Sequence, residues 1–387
     1  MKSFVSAFSV FALGLLATIS LAGCGSVSPI SLAATPTPAP VSSNPSSPTP
    51  TPAAHGTFVF SNSQDHDTPV TGYRLNGDGT LSAIPGSPFP ANGFLTVSGS
   101  FLISAQDDTV VAFRIDPATG ALTLAGSGNV PGAIAVAADG ANVYAAGTLT
   151  PAGSGTGIYG FSIAPNGALS PLAGSPYFFA GGCDTCSSPL TLALNDKFLI
   201  QGGAGFHGIR NFTVYPRMAG GALGSPQTLA TEAGDRVAIQ HPAGKFAYTL
   251  NVSDGELANF TVDASGNPII GATMFTGSSQ DITVDTTGKF LLLVDLSGVV
   301  HVFTIDPATG DLSQIATSES AGNGALAIAM DPSGQFVLVS QSAAISNLPG
   351  AANQVTIFTF DSATGAVKKL QSYPVSKEPG RVVIASM

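Results

Sequence analysis

From about residue 56 onward the chain alternates short apolar runs with turn residues. Runs such as "KFLIQG", "KFAYTL", "KFLLLV" and "QFVLVS" follow turns like "HPAGKF" (241–246) and "DPSGQF" (331–336). Ahead of such turns lies another apolar run, as in "GAIAVAADG", "DRVAIQHP" and "ALAIAMDP". Apolar stretches of this length, bounded by turn chemistry, predict antiparallel strands rather than helices. A third strand is centred on an aromatic residue, and a weaker fourth, such as "ALTLAGSG", follows it.

The aromatic strand recurs seven times, at Tyr73, Phe113, Phe161, Phe212, Phe260, Phe303 and Phe358. The spacings of 40, 48, 51, 48, 43 and 55 residues have the period of a four-stranded propeller blade. The best-kept copies run into one turn: "VVAFRIDPATGAL" at 110–122, "VHVFTIDPATGDL" at 300–312 and "VTIFTFDSATGAV" at 355–367. Pro117 and Pro307 preset φ at the second turn position. Asp116 and Asp306 bond forward to turn amides, and Gly120 and Gly310 supply the positive φ that closes the loop. One carboxylate per copy is too few for a metal site, so the repeated sentence is structural.

The ends of the folded part complement each other. "TFVFSN" (57–62) matches a second strand with no first strand before it, and "GRVVIASM" (380–387) matches a first strand with no blade after it. The expected fold is therefore all-β: a seven-bladed β-propeller over 56–387 with four-stranded antiparallel blades, the first closed by the C-terminal strand.

Residues 1–23 are read as a signal peptide: Lys2, an apolar run, then Leu21-Ala22-Gly23-Cys24, which resembles the lipobox of bacterial lipoproteins. That resemblance implies acylation of Cys24. Gly25 after it, rather than Asp, implies the outer membrane by the sorting rule of enteric bacteria. An uncleaved transmembrane anchor is the alternative, because the apolar run is nearly long enough to span. Residues 25–55, rich in Pro, Ser and Thr and without charge, read as a disordered tether, so 24–55 links lipid to fold.

Composition narrows the partners. Thirteen Lys and Arg against 23 Asp and Glu give a formal charge of −10, which argues against nucleic acid. With Cys24 acylated, Cys183 and Cys186 in "GGCDTCSSP" remain, and in an exported chain they are read as a disulfide. Zinc would need more ligands than this pair supplies, and a redox pair would want a thioredoxin-like context. No metal and no cofactor are expected; the absence of Trp lowers an oxidoreductase reading that would stack a quinone. A monomer is expected, held to the membrane by its lipid alone.

The aromatic strand, "IDPATG", the Gly-Ser-Pro of 86–88 and 174–176, and "DPxGKF" together resemble the lactonase-type seven-bladed propellers. That family includes bacterial 6-phosphogluconolactonases and a fungal muconate-lactonizing enzyme. The resemblance implies lactone hydrolysis, which needs a base for water and a cation for the oxyanion. Where the family tends to Gly-Pro-Arg-His, this chain has Gly234-Asp235-Arg236-Val237, keeping only the Arg. A family Asn-Glu becomes Asn251-Val252, Ser-Asn-Arg becomes Val294-Asp295-Leu296, and an acidic fourth-blade region becomes Gln201-Gly202-Gly203-Ala204-Gly205.

Long variable loops at 61–69, 146–157, 175–189, 201–208 and 340–354 would share one face with the channel mouth. Candidate side chains there are Arg236, with Asp65, Asp281 and Asp295 as relocated acids, and His66, Asp67 and His207 as ligand contacts. Asp281 and Asp295 are one possible carboxylate pair in blade 6; His241 and His301 have no partner by spacing. The missing family residues favour a non-catalytic scaffold binding a protein or small-molecule ligand. A lactone hydrolase is the runner-up and a cofactor-bearing oxidoreductase the third reading.

The lipid is the expected anchor. Cys24→Ala should therefore abolish acylation and move the protein from the membrane to the soluble fraction. Retention of the variant in the membrane fraction would support a transmembrane segment instead.

Overall fold

The structure, a computed structural model, describes residues 56–63, 69–148, 156–178, 190–193, 195–202, 211–230, 237–252, 255–263, 266–344, 349–375 and 379–387. They form seven antiparallel sheets, each with four strands in meander order; the third carries an extra short strand, Tyr177–Phe178, on its third strand. We number the blades along the chain and the strands of each blade from the innermost outwards.

Blade 1 is built from both ends of the fold. Pro379–Ser386 is its first strand and lies antiparallel to Thr57–Ser63, with Phe58 opposite Ala385 and Phe60 opposite Val383. Thr71–Leu75 and Leu81–Ala83 complete it. The closure expected from the two half-blades is what the chain does.

Burial explains why the strands read differently in sequence. A second or third strand is sandwiched between neighbouring blades on both faces, so Phe290–Val294 and Phe336–Gln341 are buried throughout. The fourth strands face outward, and Leu312–Thr317 has no buried residue. The clusters of buried side chains span pairs of adjacent blades. One joins Phe290, Leu292 and Val302 of blade 6 to Val337, Val339 and Phe358 of blade 7. Another joins Ile103 and Ala112 of blade 2 to Val143 and Ala145 of blade 3.

The repeated turn is where one blade meets the next. Asp116 Oδ1 accepts the Thr119 and Ala118 amides at 2.8 and 3.0 Å, and Asp306 Oδ1 accepts Ala308 and Thr309 at 2.8 and 3.0 Å. Gly120 and Gly310, each at φ +79°, close the turns as expected. A second-strand aromatic of the preceding blade then packs against the glycine. A Cβ added to Gly120 would lie 2.4 Å from the Phe58 ring, one on Gly310 2.8 Å from Phe246, and one on Gly365 2.9 Å from Phe290.

Arginines of the third strands reinforce the first two junctions. Arg74 lies over Phe58 and donates to the Ala118 carbonyl; Arg114 lies 4.6 Å over Phe101 and donates to Pro165 O at 2.5 Å. Between blades 3 and 4, Arg217 pairs with Asp139, and its Nε donates to the Tyr144 hydroxyl at 2.8 Å. Burial works against ionisation of Asp139, but the Ala141 and Asn142 amides and Arg217 outweigh it and hold the carboxyl below its usual range. The Gly-Ser-Pro motifs are structural as well: Ser87 Oγ and Ser175 Oγ each accept a third-strand amide, Gly72 and Gly160, at 2.9 Å.

The glycines allow a controlled test. Gly266, at φ +83°, has nothing within 4 Å of an added Cβ, so Gly266→Ala should cost only the left-handed penalty of about 1–2 kcal/mol. Gly120→Ala adds a clash with Phe58 and should cost a further ~1–3 kcal/mol in urea unfolding. Equal losses in the two variants would count against the junction.

Candidate functional site

The channel is lined by the first strands, and each begins at a blade-to-blade connection. A residue early in such a strand therefore stands at the face that also carries the loops between second and third strands. Asp281, in Ser279–Val284 of blade 6, and Arg381, in Pro379–Ser386 of blade 1, both occupy this level.

Both lie at irregularities in strand pairing. In blade 6, Ser279 is opposite Asp295 but Asp281 is opposite Val294, so one extra residue bulges from the inner strand. In blade 1, Ser61 is opposite Val382 and Ser63 opposite Pro379, with Arg381 inside the slip. Such bulges re-aim side chains and terminate pairing. Blade 7 stands between them and has the same irregularity, with Ala327 opposite Ser340. Its side chain there is only a methyl group.

Asp281 is 7% exposed. Its Oδ1 accepts the Ile282 amide and its Oδ2 the Ile328 amide of blade 7, both at 3.0 Å. Burial pushes its carboxyl above the usual range, and the positive charge of Arg381 with the two amides offsets only part of that. Arg381 itself is exposed. Arg74, Arg114 and Arg217 are committed to blade junctions, so Arg381 is the arginine that an inner strand contributes among the described residues.

Asp281 and Asp295 do not form a pair. Asp295 belongs to its own hairpin: Oδ1 accepts Ser297 N, Ser297 Oγ and Val299 N at 2.9, 2.6 and 3.0 Å. Its Oδ2 contacts His301 Nε2 at 2.9 Å, and Gln314 Nε2 meets His301 Nδ1 at 3.2 Å. Burial opposes its ionisation, but His301, Ser297 and Val299 prevail and hold it below the usual range. His301 thus has the partner that spacing did not reveal. His241 takes the place of a turn aspartate: Nδ1 accepts the Ala243 amide at 3.0 Å, and Nε2 donates to Gly288 O at 2.8 Å.

Val252, not a carboxylate, follows Asn251, yet Glu256 lies across the same hairpin. Asn251 N donates to Glu256 O at 2.8 Å, and the two residues are 1% and 7% exposed. Arg236, Asp65, His66, Asp67, His207, Cys24, Cys183 and Cys186 lie outside the described residues. A cleft of about 340 Å³ opens at the opposite face, between blades 7 and 1, and includes Arg74, Asn76, Asp331 and Gln335. Its Asp331 is already occupied by the Phe336, Gln335 and Ser333 amides at 2.6, 2.9 and 3.0 Å. Arg381 went unnoticed because the strand that carries it was read only as the closing strand. The match of "GRVV" to "DRVA" around Arg236 was the available signal.

Seven four-stranded blades, the first closed by residues 379–386, define a seven-bladed β-propeller. The family model "Lactonase, 7-bladed beta-propeller" matches residues 195–384. The protein is a seven-bladed β-propeller, and over those residues, just under half of the chain, it is similar to the lactonase family. A 6-phosphogluconolactonase of Formosa agariphila is 29% identical over 147 residues, 35% of this chain and 39% of that protein. One of Serratia proteamaculans is 26% identical over 164 residues, 39% and 46% of the two chains. The matches thus span less than half the length of these curated relatives. The solved periplasmic gluconolactonase of Pseudomonas aeruginosa has a TM-score of 0.68 at 17% identity, covering 86% of this chain and 99% of that one. At that identity the likeness is one of fold.

The raised value of Asp281 has a sign. The fold favours its protonated form, so its contribution is full below the unfolded value of about 4 and is lost as pH rises through the raised one. Asp281→Asn should therefore gain stability relative to the wild type as pH rises from about 4 to about 7. A stability difference that does not change with pH would contradict the shift.

Proposed function

We propose that the protein hydrolyses lactones, at the channel mouth where the inner strands of blades 6 and 1 present Asp281 and Arg381. The observation that carries this is the placement of a buried carboxyl and an exposed guanidinium early in the inner strands of blades 6 and 1, each beside a slip in strand pairing. A carboxyl shifted upward has a proton affinity closer to what acid–base work requires near neutrality. A guanidinium, which stays protonated, stabilises negative charge. This replaces the scaffold expectation, which rested on the loss of the family's His, Glu and second Arg with only Arg236 kept; the similarity to the lactonase family and to 6-phosphogluconolactonases supports it.

The chemistry follows from those two groups. Ionised Asp281 takes a proton from water as the water oxygen bonds to the lactone carbonyl carbon. The carbonyl electron pair moves to oxygen, and the oxyanion faces Arg381. Collapse breaks the ring C–O bond, and the proton on Asp281 passes to the ring oxygen, which leaves as the hydroxyl of a hydroxy acid. A net charge of −10 disfavours phosphorylated substrates, so the substrate class is a neutral sugar lactone. That choice suits an envelope protein tethered through Cys24, and the P. aeruginosa neighbour is itself named a periplasmic gluconolactonase.

Hydrolysis of aldonolactones by the purified protein tests the reading. Asp281→Asn should lower kcat by about 10²–10⁴-fold, and Arg381→Gln by about 10²–10³-fold. Loss of turnover in Glu256→Gln with full activity in Asp281→Asn would move the base to blade 5. Absence of turnover in the wild type on neutral and phosphorylated lactones alike would refute the proposal.

A further inference from the structure

Arg381 reaches the channel from a strand with broken pairing, so something other than the ladder must fix its backbone. Gly380, the residue before it, is buried and lies within the slip between Ser61–Ser63 and Pro379–Val382. The Gly380 carbonyl accepts a hydrogen bond of 2.6 Å from Ser340 Oγ, which belongs to the second strand of blade 7. Ser340 is 0% exposed and stands opposite Ala327 in its own blade. Its hydrogen bond therefore crosses from blade 7 to the closing strand of blade 1, beside the residue that precedes Arg381.

We propose that Ser340 is a positioning residue: its bond to the Gly380 carbonyl holds the bulge of the closing strand so that the Arg381 guanidinium faces Asp281. A buried hydroxyl is costly unless it is bonded, and here the bond goes to a different blade. Neighbouring residues of that strand, Val337, Leu338 and Val339, are all apolar and buried. The catalytic consequence rests on the lactone-hydrolase reading; the geometric claim does not.

The test therefore has two readouts. The first is the titration of Asp281 by carboxyl-carbon NMR in the full chain, with no substrate. Arg381→Gln removes the charge that lowers the Asp281 midpoint, so the midpoint should rise. Ser340→Ala should raise it in the same direction, Ser340→Cys, near-isosteric with a weak donor, by less, and Ser340→Thr, which keeps the hydroxyl, should restore it. If Ser340→Ala does not fold, the Cys and Thr variants carry the same comparison. The second readout is aldonolactone turnover. Displacement of the cation should lower kcat by up to about 10²-fold in Ser340→Ala, with recovery in Ser340→Thr. A midpoint unmoved in the Ser340 variants, or unmoved in Arg381→Gln itself, would overturn the inference. A shifted midpoint in a protein with no lactonase turnover would sustain the inference and refute the function.

Discussion

The contact between a second-strand aromatic of one blade and the turn glycine of the next governs most of this structure. Each blade alone exposes both faces of its middle strands, so it cannot bury its own apolar residues. Phe58, Phe246 and Phe290 complete their burial only against the turn of the following blade. Burying one such ring is worth about 1.5–3 kcal/mol, and the contact demands both a positive φ and the absence of a Cβ. The same geometry places an aspartate at the start of the turn, where its carboxylate occupies amides that would otherwise be unpaired. The turn is constrained from inside by its hydrogen bonds and from outside by the neighbouring blade.

That constraint sets the spacing of the inner strands and hence what can meet across the channel. Asp281 and Arg381 belong to blades 6 and 1, with blade 7 between them. The inner strands of all three blades slip in pairing at this level. A buried carboxylate without its cation would be more costly still, since burial already favours the neutral form. Polar side chains cluster in the same sector. Thr356 Oγ1 bonds Gln341 Oε1 at 2.6 Å, and Ser342 is fully buried beside them in sequence.

The fold was legible because its signals are local and repeated. Seven aromatic strands, their turn and the two half-blades each follow from short-range chemistry, and the register of Phe58 opposite Ala385 agrees with them. The site was only partly legible. Asp281 was singled out, but its value depends on the Ile328 amide and on Arg381, 47 and 100 positions away, and sequence spacing does not encode such distances. Asp295 and His301 were treated separately because their contact crosses a hairpin whose shape is set by Asp295 itself. Arg381 was hidden by its role in closure, since a residue on a strand that explains the topology invites no second question.

Closure by residues 379–386 also has a consequence for biosynthesis. During translation, blades 2 to 7 can pair and stack in order as they emerge, but Thr57–Ser63 waits for its inner partner until almost the whole domain is out of the ribosome. The waiting strand has an open edge with a buried-type apolar sequence, a state prone to pairing with other chains. The closing strand brings both the missing hydrogen bonds and Arg381. A chain that lacks residues 379–386 therefore leaves blade 1 without its inner strand and blade 6 with the buried acid but without Arg381 on that strand.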